Sequence, residues 1–314
     1  MDKRPLGRSG ISISPLVLGG NVFGWTADQA TSFALLDAFV DEGFDCIDTA
    51  DVYSAWVPGH VGGESETVIG AWLKQRGRRD DVVIATKVAM WPKHPGLRAA
   101  NIVAAVEDSL GRLQTDYIDL YQSHKDDADT PQEETARAFA DLIAAGKVRA
   151  IGASNFEAGR LSSALAVAAE LGLPRYETLQ PLYNLMDRQG FEGELAGVCA
   201  EHGVAVIPFY GLAMGFLTGK YRSEADFGKS PRGRGMGKYL TERGLRVLGA
   251  LDEVSGALGA TNAQVALAWL MTKITAPLAS ATSVAQLRDI AGAARLSLSD
   301  EAVAKLDAAS AGAV

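Results

Sequence analysis

Short β-branched runs alternate eight times with longer Ala- and Leu-rich segments along this chain, and that alternation leaves few folds open. The runs cover residues 16–19, 44–49, 82–88, 117–124, 148–153, 178–182, 204–209 and 274–280. Segments 30–41, 65–75, 101–111, 132–145, 159–171, 191–202, 243–258, 263–271 and 284–294 carry apolar residues at helical spacing. A strand that leads through a helix to the next strand pairs with it in parallel, and eight such units close on themselves. The competing architecture is an open doubly wound sheet, which receives a dinucleotide on a G-x-G-x-x-G turn after its first strand. Here the first run ends Gly19-Gly20-Asn21, and the nearest Gly-rich match, Gly233-x-Gly235-x-Gly237, lies in a polar loop far down the chain. The expected fold class is therefore α/β, a (β/α)8 TIM barrel, with residues 1–314 as a single domain. Residues 6–14, with Ser9-Gly10 at the turn, read as an N-terminal β-hairpin that plugs the bottom of the barrel. The connection from Gly211 to about Leu240 is too long for a passive link and reads as a functional loop.

Composition excludes several classes. The formal net charge of −8 argues against a nucleic-acid partner, which needs a basic face. No apolar run approaches the roughly 18 residues that span a bilayer, so no membrane partner is expected. The opening Met1-Asp2-Lys3-Arg4-Pro5 lacks a signal-peptide core, and a cytoplasmic location is expected. Cys46 and Cys199 read as buried free thiols. The four histidines, His60, His94, His124 and His202, show no metal-ligand spacing, so a metal site and a metal-dependent hydrolase are not expected.

In a barrel, chemistry sits at the C-terminal ends of the strands. The second run leads through Asp48-Thr49-Ala50-Asp51-Val52 to Tyr53, the third holds Lys87, and the fourth ends at His124. Period-2 alternation is compatible with Asp48, Lys87 and His124 pointing into one mouth, with Tyr53 leaning over it. Each alone reads as a cap, a solvated charge or a packed ring; together they make a catalytic group. Lys87 would lower the pKa of Tyr53, Asp48 would hold Lys87, and His124 would orient a carbonyl oxygen that Tyr53 protonates.

These motifs resemble those of the aldo-keto reductases, more closely the bacterial and potassium-channel β-subunit branch. The resemblance rests on Asp48-Thr49-Ala50-x-x-Tyr53, Ala85-Thr86-Lys87, and His124 after Asp119-Leu120-Tyr121. Gly63-Glu64-Ser65-Glu66, Ile151-Gly152-Ala153-Ser154-Asn155-Phe156, Gln180 with Tyr183-Asn184, and Gly215-Phe216-Leu217-Thr218-Gly219-Lys220-Tyr221 extend it over nearly the whole chain. It implies a nicotinamide cofactor, with NADP(H) favoured and NAD(H) the alternative, and a small-molecule carbonyl substrate. Ser154, Asn155 and Gln180 would hold the carboxamide, and Phe209 or its neighbour Tyr210 would stack on the ring. Gly211, Leu212, Gly215, Leu217 and Lys220 would wrap the pyrophosphate. Ser280, Thr282 and Gln286, with Arg288 close by, would meet the 2′ position, where the family's usual cation is absent, and Ile290 stands where an asparagine often meets the adenine. Glu64 reads either as a cap or as an adenine contact.

The basic loop 220–238 reads as a lid over an anionic cofactor, or as a solvated segment. Trp25, Trp56 and Trp91, in loops after the first three runs, read as an apolar substrate wall. The expected activity is reversible reduction of an aldehyde or ketone by an NADP(H)-dependent oxidoreductase with Tyr53 as proton donor. The alternative is an NADP(H)-binding redox sensor with little turnover. Monomer and homo-oligomer are both open.

Overall fold

The computed structural model describes residues 1–230 and 232–312. Strands β1 (Arg4–Pro5) and β2 (Ser12–Ile13) form the antiparallel hairpin, with Arg4 opposite Ile13. Eight parallel strands follow: β3 (Val17–Gly19), β4 (Cys46–Asp48), β5 (Val83–Val88), β6 (Ile118–Ser123), β7 (Val148–Ser154), β8 (Tyr176–Gln180), β9 (Ala205–Val206) and β10 (Leu278–Ala279). They pair in chain order, and β10 returns to lie beside β3. Ala276 N–H donates to Val206 O at 3.3 Å and Leu278 N–H to Pro208 O at 3.0 Å, which joins the last two rows and closes the barrel.

The regular part of β9 is shorter than the 204–209 run, because Pro208 has no N–H to give the ladder. The chain nevertheless stays beside β8, through Ile207 N–H to Leu179 O and Phe209 N–H to Pro181 O, both 3.0 Å. This continuation carries Phe209 and Tyr210 to the mouth.

The helices are α1 (Gln29–Asp41), α2 (Glu64–Arg76), α3 (Ala99–Leu113), α4 (Gln132–Ala144), α5 (Ala158–Leu171), α6 (Glu194–His202), α7 (Glu242–Leu258), α8 (Asn262–Met271), α9 (Val284–Ala291) and α10 (Asp300–Ser310). Their apolar faces cover the outside of the sheet; Phe39, Ile69, Trp72, Ile102, Phe139, Leu161 and Trp269 are all buried there. Each such side chain contributes about 1.5–3 kcal/mol on burial. Apolar periodicity marks no helix after residue 294, yet α10 is there. Ser299 Oγ caps it by accepting from Ala302 N–H at 3.2 Å, Asp300 and Glu301 fill its first turn, and Asp307 accepts from Trp269 Nε1 at 3.0 Å.

The barrel interior is layered. A lower, separate cluster holds Val17, Cys46, Ala85, Leu120, Ala150, Ala205, Ile207 and Leu278, closed from below by Leu6, Ile11 and Ile13 of the hairpin region. Two residues further up β4, β5 and β6 the layer turns polar: Cys46 gives way to Asp48, Ala85 to Lys87, Leu120 to Gln122. Space there is tight. A Cβ on Gly152 would collide with Thr178 Oγ1 and crowd the Gln122 side chain. Among the described residues no helix is long and apolar enough to cross a membrane.

Candidate active site

After Asp48 the chain keeps the ladder with β5: Thr49 N–H reaches Ala85 O at 2.8 Å and Asp51 N–H reaches Lys87 O at 3.3 Å. That fixes Asp48 on the inner face. A turn with Tyr53 N–H on Ala50 O at 3.2 Å then folds the tyrosine back over the mouth.

Lys87 is wholly buried, and its ammonium is the hub. It donates to Asp48 Oδ2 at 2.6 Å, to Thr49 O at 2.8 Å and to Tyr53 Oη at 3.0 Å, using all three of its protons. Asp48 Oδ2 also lies 3.4 Å from the Tyr53 hydroxyl, and Asp48 Oδ1 accepts from Gln180 Nε2 at 2.8 Å and Gln122 Nε2 at 3.2 Å. His124 is buried beside them, its ring centroid 6.0 Å from that of Tyr53 in an edge-to-face arrangement. Its backbone N–H is held by Val88 O at 2.8 Å, and its carbonyl accepts from Asn155 Nδ2 at 2.8 Å. The fold thus gathers Asp48, Tyr53, Lys87 and His124 at one strand-end surface. It adds Gln122, which the sequence reading missed although it lies two residues before His124 on the same face.

Burial holds Lys87 below the ordinary lysine range, against the opposing pull of Asp48. It drives His124 well below the usual histidine value, reinforced by the Lys87 and Lys125 charges, so the imidazole is neutral near pH 7. Its Nδ1 is buried without a hydrogen-bond partner. One expectation is corrected. The ammonium is expected to lower the Tyr53 pKa, but burial, then the charge of Asp48, push it well above the ordinary phenol value. Tyr53 is therefore a firmly protonated phenol that accepts a hydrogen bond from Lys87.

The residues read as cofactor contacts rim the same mouth on the β7-to-β10 side. Ser154 Oγ donates to Gln180 O at 2.8 Å, and Asn155, in the left-handed region at φ 55°, donates to Ser154 Oγ at 3.1 Å. Phe209 and Tyr210 meet edge to face with centroids 5.2 Å apart. Past them, Tyr210 (φ 55°), Ala213 (φ 48°), Met214 (φ 57°) and Gly215 (φ 98°) are left-handed, which bends the chain into a tight cradle, with Ala213 N–H on Tyr210 O at 2.7 Å and Gly215 N–H on Leu212 O at 2.8 Å. A Cβ on Gly215 would lie 3.5 Å from Lys220 Nζ, so the Lys220 side chain folds back over this cradle. Gly211 is packed under it, against Leu267 and Leu270; Leu212 is half-buried and Leu217 buried. At the start of α9, Ser280 Oγ donates to Asn21 Oδ1 at 2.7 Å, and Thr282 N and Oγ1 both donate to Gln286 Oε1 at 3.0 Å. Arg288 does not turn toward them: its guanidinium lies 3.7 Å from Glu42 at the end of α1.

Trp56 is half-exposed and meets both Tyr53 (6.0 Å) and Trp25 (5.8 Å) edge to face, so one side of the mouth is an aromatic wall. Trp91 does not join it. It is buried, donates from Nε1 to Val61 O at 2.7 Å, and props the loop before α2 under the Arg112 guanidinium. Glu64 ties down the loop before α2, accepting from Val61 N–H at 2.8 Å and Gly62 N–H at 3.0 Å, and makes no side-chain cap on the helix. The long loop is folded rather than open, with short turns at Ala213–Thr218, Glu224–Lys229 and Gly233–Lys238. Arg222 pairs with Asp252 at 2.6 Å and Lys229 with Asp226 at 2.7 Å, and Arg232 lies over the Trp25 ring at 5.9 Å.

A closed parallel barrel with a carboxylate, a phenol, an ammonium and an imidazole at one mouth is the arrangement of a barrel oxidoreductase. Residues 15–311 match the model of the Aldo/keto reductase family, and the chain belongs to that family. It is 36% identical over 98% of its length to "Uncharacterized oxidoreductase YrpG" of Bacillus subtilis (strain 168), covering 95% of that protein. It is 40% identical to "Aldo-keto reductase YhdN" of the same organism, over 70% of this chain and 63% of that one. A "Probable voltage-gated potassium channel subunit beta" of Arabidopsis thaliana is 32% identical, over 92% of this chain and 90% of that protein.

Proposed function

We propose that this chain is an NADP(H)-dependent oxidoreductase that reduces an aldehyde or ketone, with Tyr53 as the proton donor. Reducing a carbonyl needs a hydride at carbon and a proton at oxygen, and the hydride is what a reduced nicotinamide supplies when bound. The proton comes from the Tyr53 phenol. The observation that carries this reading is the Lys87 ammonium bonded to Asp48 and Tyr53 together, 2.6 and 3.0 Å away. The ammonium stabilises the phenolate left behind, and Asp48 keeps the ammonium in place. Neutral His124, protonated on Nε2, donates to the carbonyl oxygen and aligns it with the phenol.

The residues present suit the cofactor. The tight left-handed turns at Tyr210 and at Ala213–Gly215, with the Lys220 charge, suit a pyrophosphate, and the amides of Asn155 and Gln180 suit a carboxamide. Ser280, Thr282 and Gln286 offer hydroxyls and an amide, with no carboxylate, for a 2′-phosphate. The Trp25–Trp56 wall suits an aromatic carbonyl. Wild-type protein is expected to oxidise NADPH with aromatic aldehydes faster than with short aliphatic ones. Tyr53→Phe is expected to lose at least about a hundredfold in kcat, the scale of general acid catalysis. Full activity in Tyr53→Phe sinks the reading. The relative named as a channel subunit favours a second reading, a sensor that binds the cofactor and rarely turns over. It predicts cofactor release slower than any carbonyl-dependent turnover.

A further inference from the structure

Behind the catalytic group lies a second set of ionisable side chains with no part in the steps above. Asp51 follows Asp48 by three residues and precedes Tyr53 by two, and it is wholly buried. Neither of its side-chain oxygens has a hydrogen-bond partner.

The groups around it come from every element packed there. Asp48 and Tyr53 belong to its own strand and turn. Lys87 comes from β5, Glu66 from α2, Arg112 from α3 and Tyr121 from β6. Neither cation donates a hydrogen bond to Asp51. The three protons of Lys87 are committed to Asp48, Thr49 O and Tyr53. Arg112 is committed to Glu66 at 2.6 Å and Ser109 at 3.3 Å, and its guanidinium lies 4.8 Å over the Trp91 ring. Glu66 accepts from Thr86 Oγ1 at 2.5 Å as well as from Arg112. The buried Tyr121 hydroxyl is left without a partner.

Charge counting decides the outcome. With Asp51 neutral, Lys87 and Arg112 balance Asp48 and Glu66. With Asp51 ionised, the buried cluster holds an uncompensated negative charge, which is costly in a low-dielectric interior. Burial first, then the Glu66 charge, raise the Asp51 carboxyl to about 8, against the weaker opposing pull of Arg112, of the Val52 N–H, which lies near without reaching hydrogen-bond geometry, and of Lys87.

We propose that Asp51 is a positioning residue that works as a neutral carboxylic acid, keeping the charge behind Lys87 balanced so that Tyr53 can part with its proton. When Asp51 releases its own proton to solvent, the added charge behind Lys87 strengthens the hold of Tyr53 on its proton. Donation of that proton to the carbonyl oxygen then slows, because a phenol that holds its proton more tightly is a weaker acid. The kinetic half of this rests on Tyr53 as the donor; the protonation state of Asp51 does not.

The test has two arms on the full-length protein. In the first, infrared spectra are recorded against pH on wild-type protein with and without 13C-aspartate, and on Asp51→Asn. A protonated-carboxyl C=O band that shifts with the label, is missing from the variant, and disappears on moving from neutral to alkaline pH is expected. Its absence at neutral pH overturns the proposal, and because the label assigns the band to aspartate, this arm survives a variant that does not fold. In the second arm, kcat for NADPH-dependent reduction of an aromatic aldehyde is followed against pH. Wild type and Asp51→Glu are expected to show a descending alkaline limb that Asp51→Asn lacks; superimposable profiles overturn the proposal. If no carbonyl is turned over while the infrared band behaves as expected, the reading of Tyr53 has failed and the assignment of the neutral acid stands.

Discussion

Asp51 and Tyr53 stand two positions apart and are both driven toward their protonated forms, chiefly by burial. For Asp51 this becomes a statement about stability. Its folded-state pKa is raised from 3.8 to about 8, so between those values the folded chain keeps a proton that the unfolded chain has lost. The contribution is therefore fully present below about pH 4 and drains away as pH rises toward 8, by at most about 6 kcal/mol at 1.36 kcal/mol per unit. Asp51→Asn is expected to gain stability over wild type progressively from pH 5 to about 8, read by urea unfolding at each pH. A constant difference across that window contradicts it. The neighbouring motif residues were legible in the sequence because their meaning is joint: Asp48, Tyr53, Lys87 and His124 each sit at a strand end, and strand ends can be counted. Asp51 was visible only as a letter inside the motif. Its isolation is made by α2 and α3 packing over β4 and β5, and no local pattern encodes which cations are already engaged.

At the scale of elements, the strands were legible wherever period-2 and β-branching coincide, and β5, β6 and β7 fall within a residue of their runs. The hairpin was legible from Ser9-Gly10, whose hydroxyl closes the turn onto Leu6 O at 2.7 Å. Helix α10 was not, because its stripe is interrupted by Lys305 and Asp307 and only its cap announces it. The loop between β9 and α7 was recognisable by length but not by shape. Its turns are set by left-handed residues such as Ala213 and Met214, which composition does not mark, and by long-range ties such as Tyr239 Oη to Asp187 at 2.6 Å. Lys220 is the cation nearest the left-handed cradle and is exposed. An exposed charge-assisted contact to a phosphate contributes about 1–1.5 kcal/mol, so Lys220→Ala is expected to weaken NADPH binding by about tenfold with kcat little changed. Quenching of tryptophan fluorescence by added cofactor measures this, and the loss should shrink at high salt. An unchanged Kd at low salt removes Lys220 from the cofactor site.

The whole molecule divides its labour between the two ends of the barrel. The upper layer stores costly features: a buried ion pair, an orphaned carboxyl, left-handed non-glycine residues. The lower end is apolar and sealed by the hairpin, whose Leu6 and Ile13 are fully buried. One residue ties that seal to the wall. Arg4 Nη1 donates to the carbonyls of Met271, Ile274 and Thr275 at 3.0, 3.0 and 2.9 Å, just before β10, the strand that closes the barrel. Those carbonyls leave the end of α8 and have few other donors at hand, so the guanidinium both satisfies them and suits the negative end of the helix. Arg4→Ala leaves them to water and frees the hairpin. A loss of about 1.5–3 kcal/mol is expected, the range for hydrogen bonds to a charged group, measured as a lower urea midpoint with unchanged m-value. Because the bottom layer lies a full storey beneath Lys87, kcat and cofactor affinity should not move in the same variant. If activity falls in step with stability, the two ends are coupled through the barrel wall, and the chemistry at the mouth depends on strand closure as well as on the side chains gathered there.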